Sequence, residues 1–176
     1  MLPARTILET DRLVLRHLTT RDTPFIIELV NTEGWIKYIG DRNIKTAEQA
    51  RQYLVNGPLK SYADHGFGLY LVTLKTGNIP VGMCGLIKRA YLPAPDIGYA
   101  FLPGATGKGY ALEVARAVLS FAFTNLKIEK ILAITLPENE RSVRLLNKLG
   151  MLPEEKFNDP VSNELLEKYG ICRTAV

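Results

Sequence analysis

The stretch LPGATGKGYALEVARAVLSFAF, residues 102–123, constrains this chain more than any other. Gly104, Gly107 and Gly109 fall between a strand-like run, DIGYAFLP (Asp96 to Pro103), and a helix-like one. In the second run Ala111, Val114, Ala115, Val118 and Ala122 recur at helical spacing and predict a buried face. A strand that enters a helix through a glycine-rich turn is an α/β element. It presents the unpaired N–H groups of the first helical turn. Glycines let a ligand approach the backbone closely, and the helix dipole and Lys108 add positive charge. Such a turn suits a phosphate or pyrophosphate. It also occurs as a plain strand-to-helix turn that binds nothing.

Two nucleotide motifs come close and fail. In GxxxxGK[ST] the lysine follows the last glycine. Here Lys108 precedes Gly109, and Tyr110 and Ala111 stand where the lysine and hydroxyl belong. In GxGxxG the third glycine is required, and Leu112 occupies its place. A nucleotide-binding or hydrolysing domain is therefore disfavoured.

The rest of the chain continues the α/β theme. RLVLRHL (Arg12 to Leu18) alternates as a strand, with Leu13, Leu15 and His17 on one side. A helix follows, capped at Thr20 or Asp22, with Phe25, Ile26, Leu29 and Val30 inward. A second helix starts at Thr46, and Asn56-Gly57-Pro58 ends or bends it. GFGLYLVTLKTGNIPVGMCGLIKRA predicts two strands joined at Lys75-Thr76-Gly77-Asn78. KILAITL is a further strand, NERSVRLLNKLG a short helix, and MLPEEKF and KYGICRTAV are closing strands. The expectation is α/β (α+β): a single domain over 1–176, with a mixed twisted sheet of about six to seven strands.

Composition narrows the partners. The chain has 176 residues and a net charge of +4, with the basic residues scattered. No basic arm or stripe points to nucleic acid. Cys84 and Cys172 lie far apart, without CxxC or metal-ligand spacing, so no metal is expected. Both fall in apolar, strand-like runs and read as buried free thiols. No signal-peptide core opens the sequence, and no apolar run approaches about 18 residues. A soluble cytoplasmic protein without membrane association is the expectation, as monomer or homodimer.

TGKGYALE, after DIGYAFLP, resembles the acyl-CoA-binding motif of the GNAT superfamily of N-acetyltransferases. The similarity is to the ribosomal-protein-alanine acetyltransferase type. That motif reads Gln/Arg-x-x-Gly-x-Gly/Ala. Here it is Thr106-Gly107-Lys108-Gly109-Tyr110-Ala111, with Thr106 in place of Gln/Arg. Three further segments agree in order: LETDRLVLRHLTTRD, IPVGMCGL and PENERSVRLLNKLGM. The resemblance runs from about Leu8 to Phe157.

It implies a twisted sheet with helices on both faces, whose central strands splay apart around acetyl-CoA or coenzyme A. Backbone groups near Phe101 and Leu102 would meet the pantetheine amides, and N–H groups from Gly107 to Ala111 the pyrophosphate. Thr106 and Lys108 would flank it, although Lys108 also reads as a solvated loop lysine. Asn139 matches an asparagine on the cofactor arm and equally suits a helix cap. Arg144 and Lys148 are candidates for the 3′-phosphate. The implied reaction is direct attack of an amine on the thioester, the acceptor being a protein N-terminus or a small-molecule amine. Asp96 is the candidate proton acceptor and Ser142 the candidate donor to sulfur; Tyr110 reads as packing, and Tyr169 is a further donor candidate. His65 and Asp64 could border the acceptor site and read as loop surface residues. Trp35, Tyr38 and Phe67 are candidate walls for the acceptor. Thr106 and Asp96, which depart from the family pattern, keep open a catalytically weak or inactive CoA-binding module that acts as a sensor or partner protein.

Overall fold

The computed structural model describes residues 5–173. One eight-stranded sheet runs through it in the order β1-β2-β3-β4-β5-β6-β8-β7. The strands are β1 (Thr6–Glu9), β2 (Leu13–Arg16), β3 (Leu69–Leu74), β4 (Pro80–Ile87), β5 (Asp96–Phe101), β6 (Lys130–Thr135), β7 (Leu152–Asn158) and β8 (Leu165–Cys172). The expected strands are present. The eighth is β1, whose four residues are too short and too mixed in polarity to register as alternation.

Among the described residues six α-helices accompany the sheet: α1 (Thr23–Val30), α2 (Glu33–Tyr38), α3 (Ala47–Leu54), α4 (Lys60–His65), α5 (Tyr110–Thr124) and α6 (Glu140–Lys148). Helix α1 buries the four residues its periodicity selects, Phe25, Ile26, Leu29 and Val30. Thr46 caps α3 by accepting from the Gln49 N–H, while the Gln49 side chain accepts from the Thr46 N–H. Asn56-Gly57-Pro58 does not end this helix. It passes through a π-helical turn (Val55–Leu59) into α4. That wider turn accommodates Pro58, whose nitrogen has no hydrogen to donate. Asp64 and His65 consequently belong to a helix end and not to a loop. So does the segment around Trp35, where the Thr32 hydroxyl caps α2.

Two buried clusters lie on opposite faces of the sheet. One joins α5 and Leu146 of α6 to Leu13, Leu15, Tyr70, Cys84, Ile97 and Ile131. The other joins α1, Trp35, Ala50 and Leu54 to Leu71 and Met83. Neighbouring strand residues alternate between them, as the pleat requires. Along α5, Val114, Ala115, Val118 and Ala122 are buried as expected and Leu119 joins them; Ala111 is half-buried.

Cys84 is a buried free thiol. Cys172 is exposed, contrary to its sequence reading. It ends β8 opposite Lys130, the first residue of β6, at the rim of the sheet. Among the described residues no helix is long and apolar enough to cross a membrane.

Candidate active site

The sheet is antiparallel everywhere except between β5 and β6, and those two parallel strands share one residue pair, Asp96 with Leu132. The Leu132 N–H donates to the Pro95 carbonyl at 2.9 Å. Beyond that point the strands separate. Residues from both, including Tyr99 and Phe101 of β5 and Ala133 to Thr135 of β6, line a cavity of about 1140 Å³.

The pairing of β5 with β4 tells which backbone groups enter the gap. Phe101 is paired with Gly82, and the Leu102 N–H donates to the Val81 carbonyl. Alternation along an antiparallel ladder then turns the N–H and C=O groups of Ile97, Tyr99 and Phe101 away from β4, toward β6. Of the two residues expected to face a ligand's amides, Phe101 has its backbone in the gap. Leu102 does not: its N–H is spent on β4, and its carbonyl accepts from Ala105 and from the Thr106 hydroxyl.

Side chains alternate as well. Tyr99 and Phe101 pack toward α5 and α6, whereas Ala100 and Leu102 pack toward α1 and Trp35. Asp96 shares the parity of Ala100. Asp96 and the Tyr99 side chain therefore stand on opposite faces of one strand, at the edge of one cavity.

Asp96 is 1% exposed, and both its oxygens accept from Arg89 Nε, at 3.0 and 3.1 Å. Burial pushes its carboxyl up to about 6, against the opposing pull of the Arg89 guanidinium. A network continues outward from Arg89. The nearby Tyr91 hydroxyl donates to Asp159 Oδ2 at 2.8 Å, and Asp159 Oδ1 accepts from the Val161 and Ser162 N–H groups. The β4–β5 and β7–β8 connections are thus tied together beside the cavity.

Ser142 sits in the first turn of α6, its hydroxyl 2.7 Å from the Tyr99 hydroxyl. Burial pushes the Tyr99 phenol up to about 12, with the Ser142 hydrogen bond pulling the other way. Sequence reasoning passed over Tyr99. The signal was the alternation of DIGYAF, which sends Tyr99 to the face opposite Asp96. Asn139 caps α6 by accepting from the Ser142 N–H at 3.2 Å, and both residues line the cavity. Its carbonyl oxygen is engaged in capping, which leaves its amide N–H₂ to meet a ligand.

The glycine turn comes next. Gly107 and Gly109 adopt left-handed backbone, φ 80° and 82°, which other residues enter at a cost. Gly109 begins α5 without a side-chain cap. Thr106, Gly107, Lys108 and Gly109 are all exposed, and a side-chain carbon added at Gly107 would meet nothing within 4 Å. Among the described residues, the N–H groups of Gly107 to Leu112 have no protein acceptor. Tyr110 packs beside the turn, with the Arg12 guanidinium 4.6 Å from its ring centre.

The remaining candidates separate. Trp35 and Tyr38 line the cavity, along with Asp64 and His65 of α4, but Phe67 packs into the α5-side cluster. The Trp35 indole N–H is buried without a partner among the described residues. Tyr169 is buried in the core and donates to Glu167, away from the cavity. Arg144 pairs with Glu140. Cys84 lies in the core, where burial pushes its thiol up to about 12, which removes it as a nucleophile.

Comparison with known proteins gives one family. Residues 12–152 match the acetyltransferase (GNAT) domain family. YnaD of Bacillus subtilis (strain 168), described as an uncharacterized N-acetyltransferase, is 30% identical over 162 residues, spanning 91% of this chain and 92% of that one. A GNAT-family acetyltransferase from Bacillus anthracis, known by crystal structure, superimposes with a TM-score of 0.79 at 30% identity, covering 96% and 98% of the two chains. The ribosomal L7/L12 alpha-N-protein acetyltransferase RimL, solved in complex with coenzyme A, shares the fold, with a TM-score of 0.82 at 16% identity over 96% and 98%. The sheet that parts beyond one residue pair, the glycine turn and the match over most of the chain agree: the chain belongs to the GNAT acetyltransferases and is an N-acetyltransferase.

Proposed function

We propose that the chain transfers the acetyl group of acetyl-CoA to a primary amine by direct attack, with the thioester lying in the gap between β5 and β6. The observation that carries this reading is the single pairing of Asp96 with Leu132, after which β5 turns backbone groups into an open cleft that leads toward the glycine turn. The residues fit coenzyme A. The backbone of Phe101 suits the pantetheine amides. The N–H groups of Gly107 to Ala111 suit the pyrophosphate, with Thr106 and Lys108 beside them and the Asn139 amide toward the arm.

Bound acetyl-CoA supplies an already activated acyl group, so no enzyme nucleophile is needed. The chain contributes orientation and proton handling. An amine approaching from the α1 and α2 side, past Trp35 and Tyr38, meets Asp96 on that face. The Asp96 carboxylate takes the proton through a water, since it is almost fully buried and held by Arg89. On the other face the Tyr99–Ser142 pair donates to the departing sulfur. Of the two hydroxyls, the phenol is intrinsically the stronger acid and the better proton source. Acid and base thus act from opposite sides of the reacting carbonyl. Asp96, Tyr99 and Ser142 beside one cavity support the active enzyme over the catalytically silent module.

Titration calorimetry with acetyl-CoA, coenzyme A and ATP·Mg tests the donor. Micromolar binding of the first two is expected, and preference for ATP·Mg would sink the reading. An acceptor screen against acetyl-CoA, read by mass spectrometry and spanning peptides with free N-termini, amino acids and polyamines, identifies the amine. No acetylated product from any class would favour the silent module.

A further inference from the structure

The glycine turn is exposed and carries two left-handed residues, so something must hold it in shape. Within Gly107–Gly109, the one side chain among the described residues that hydrogen-bonds to the backbone comes from far away in sequence. Arg12 Nη1 donates to the Lys108 carbonyl at 3.0 Å. The same guanidinium grips the first turn of α5: Nε donates to Glu113 Oε2 at 2.7 Å, and Nη2 lies 2.6 Å from that oxygen. Glu113 Oε1 accepts from the Thr10 hydroxyl at 2.6 Å and from the Arg12 N–H at 3.0 Å. The Thr10 N–H in turn donates to the Leu13 carbonyl, and the Lys75 N–H to the Arg12 carbonyl, so the clamp is anchored in the sheet. The guanidinium also lies over Tyr110, and its Nη2 is 3.4 Å from where a Cβ on Gly109 would sit.

We infer that Arg12, fixed by Glu113 and Thr10, is a positioning residue that holds the glycine turn in the shape that receives a pyrophosphate. The inference rests on the coenzyme A reading above. The three contacts spend three of the five guanidinium N–H donors, and the one on the Lys108 carbonyl lets Arg12 act through the turn. Its carbonyl contact fixes the peptide between Lys108 and Gly109, which sets where the following N–H groups point. Its pairing with Glu113 locks the turn to the first turn of α5, so loop and helix N–H groups converge on one spot. Without the clamp, the competent shape is a smaller fraction of the turn's population, and apparent affinity falls by that fraction. The loss touches only ligands that use the turn.

The test compares coenzyme A with pantetheine, which enters the β5–β6 gap but has no pyrophosphate. Both are titrated into the unsubstituted chain and into Arg12→Met, which keeps the length and loses the donors. Coenzyme A affinity should fall roughly tenfold, with pantetheine affinity unchanged. Equal weakening of both ligands would overturn the inference by making Arg12 a general structural support, and so would no change in either. Glu113→Gln, measured beside it and standing in should Arg12→Met fail to fold, keeps the Arg12 charge and loosens its anchoring; the same selective loss, smaller in size, is expected, and unchanged or tighter coenzyme A binding would make Arg12 a direct phosphate ligand and overturn the inference. Failure of both variants to fold overturns the inference too. If the unsubstituted chain does not bind coenzyme A, the functional reading itself falls, and that failure is seen before any substitution is made.

Discussion

The hydroxyls of Tyr99 and Ser142 meet at 2.7 Å across the gap between β5 and α6, on the face of β5 opposite Asp96. A strand and a helix N-terminus from different parts of the chain thus bring two hydroxyls together, and in the proposed mechanism the pair supplies the proton to the departing sulfur. Removing either hydroxyl should impair leaving-group protonation. Tyr99→Phe should lower kcat on the order of 10²-fold, the low end for loss of general acid catalysis. Ser142→Ala should cost less, and the double variant little more than Tyr99→Phe, since the pair acts as a unit. Steady-state kinetics with any accepted amine decides it; additive losses would separate the two residues.

Asp96 predicts the pH profile. Burial raises its carboxyl to about 6, and the proposed base works only when deprotonated. The rate should therefore be low below that pH and rise through an inflection near it. Asp96→Asn should abolish this inflection and lower the plateau. The same shift bears on stability with a definite sign. Folding favours the protonated carboxyl, so this contribution is full below the ordinary carboxylate range and lost as pH rises through about 6. Persistence of the inflection in Asp96→Asn would assign it to another group.

Gly109→Val tests the turn from inside. Its φ of 82° is left-handed, and a β-branched residue there costs about 1–3 kcal/mol. The added atoms would also press on the Arg12 guanidinium. A folded variant should show a KM for acetyl-CoA raised at least tenfold, roughly, with kcat changed far less, because only donor binding is affected. An unaltered KM would place the donor elsewhere.

Thiol chemistry separates the two cysteines. In the native protein Cys172 should react with a thiol reagent and Cys84 should not, because Cys84 is buried with its thiol raised to about 12. Denaturation should release the second equivalent. Activity should survive modification of Cys172, which does not line the cavity.

Most of the architecture was legible because it is written at short range. Helix α1 shows its inner face in the spacing of Phe25, Ile26, Leu29 and Val30. The turn after β5 shows itself in Gly107 and Gly109. What sequence could not give was anything fixed by pairing register. Phe101 and Leu102 look alike as letters, and only the ladder with β4 shows that Leu102 spends its N–H on Val81. Asp96 was legible as a candidate proton acceptor, but its partner Arg89, seven positions earlier, returns to it across a turn that no periodicity marks. Tyr99 found its partner in Ser142, 43 residues away. The Arg12–Glu113 clamp spans 101 residues and joins two segments that each looked self-sufficient. Cys172 was misread because an apolar run does not show which of its residues stands at the exposed end of a strand.

The single residue pair between β5 and β6 also has a mechanical meaning. The sheet is in effect two ribbons, β1 to β5 and β6 to β8, sutured at one stitch. Any extended molecule that satisfies the backbone of Phe101 would lie where a ninth strand belongs and would sew the ribbons together along their length. Occupancy of the gap and stiffness of the sheet then become one variable, and melting temperature becomes a direct gauge of how much donor the protein holds.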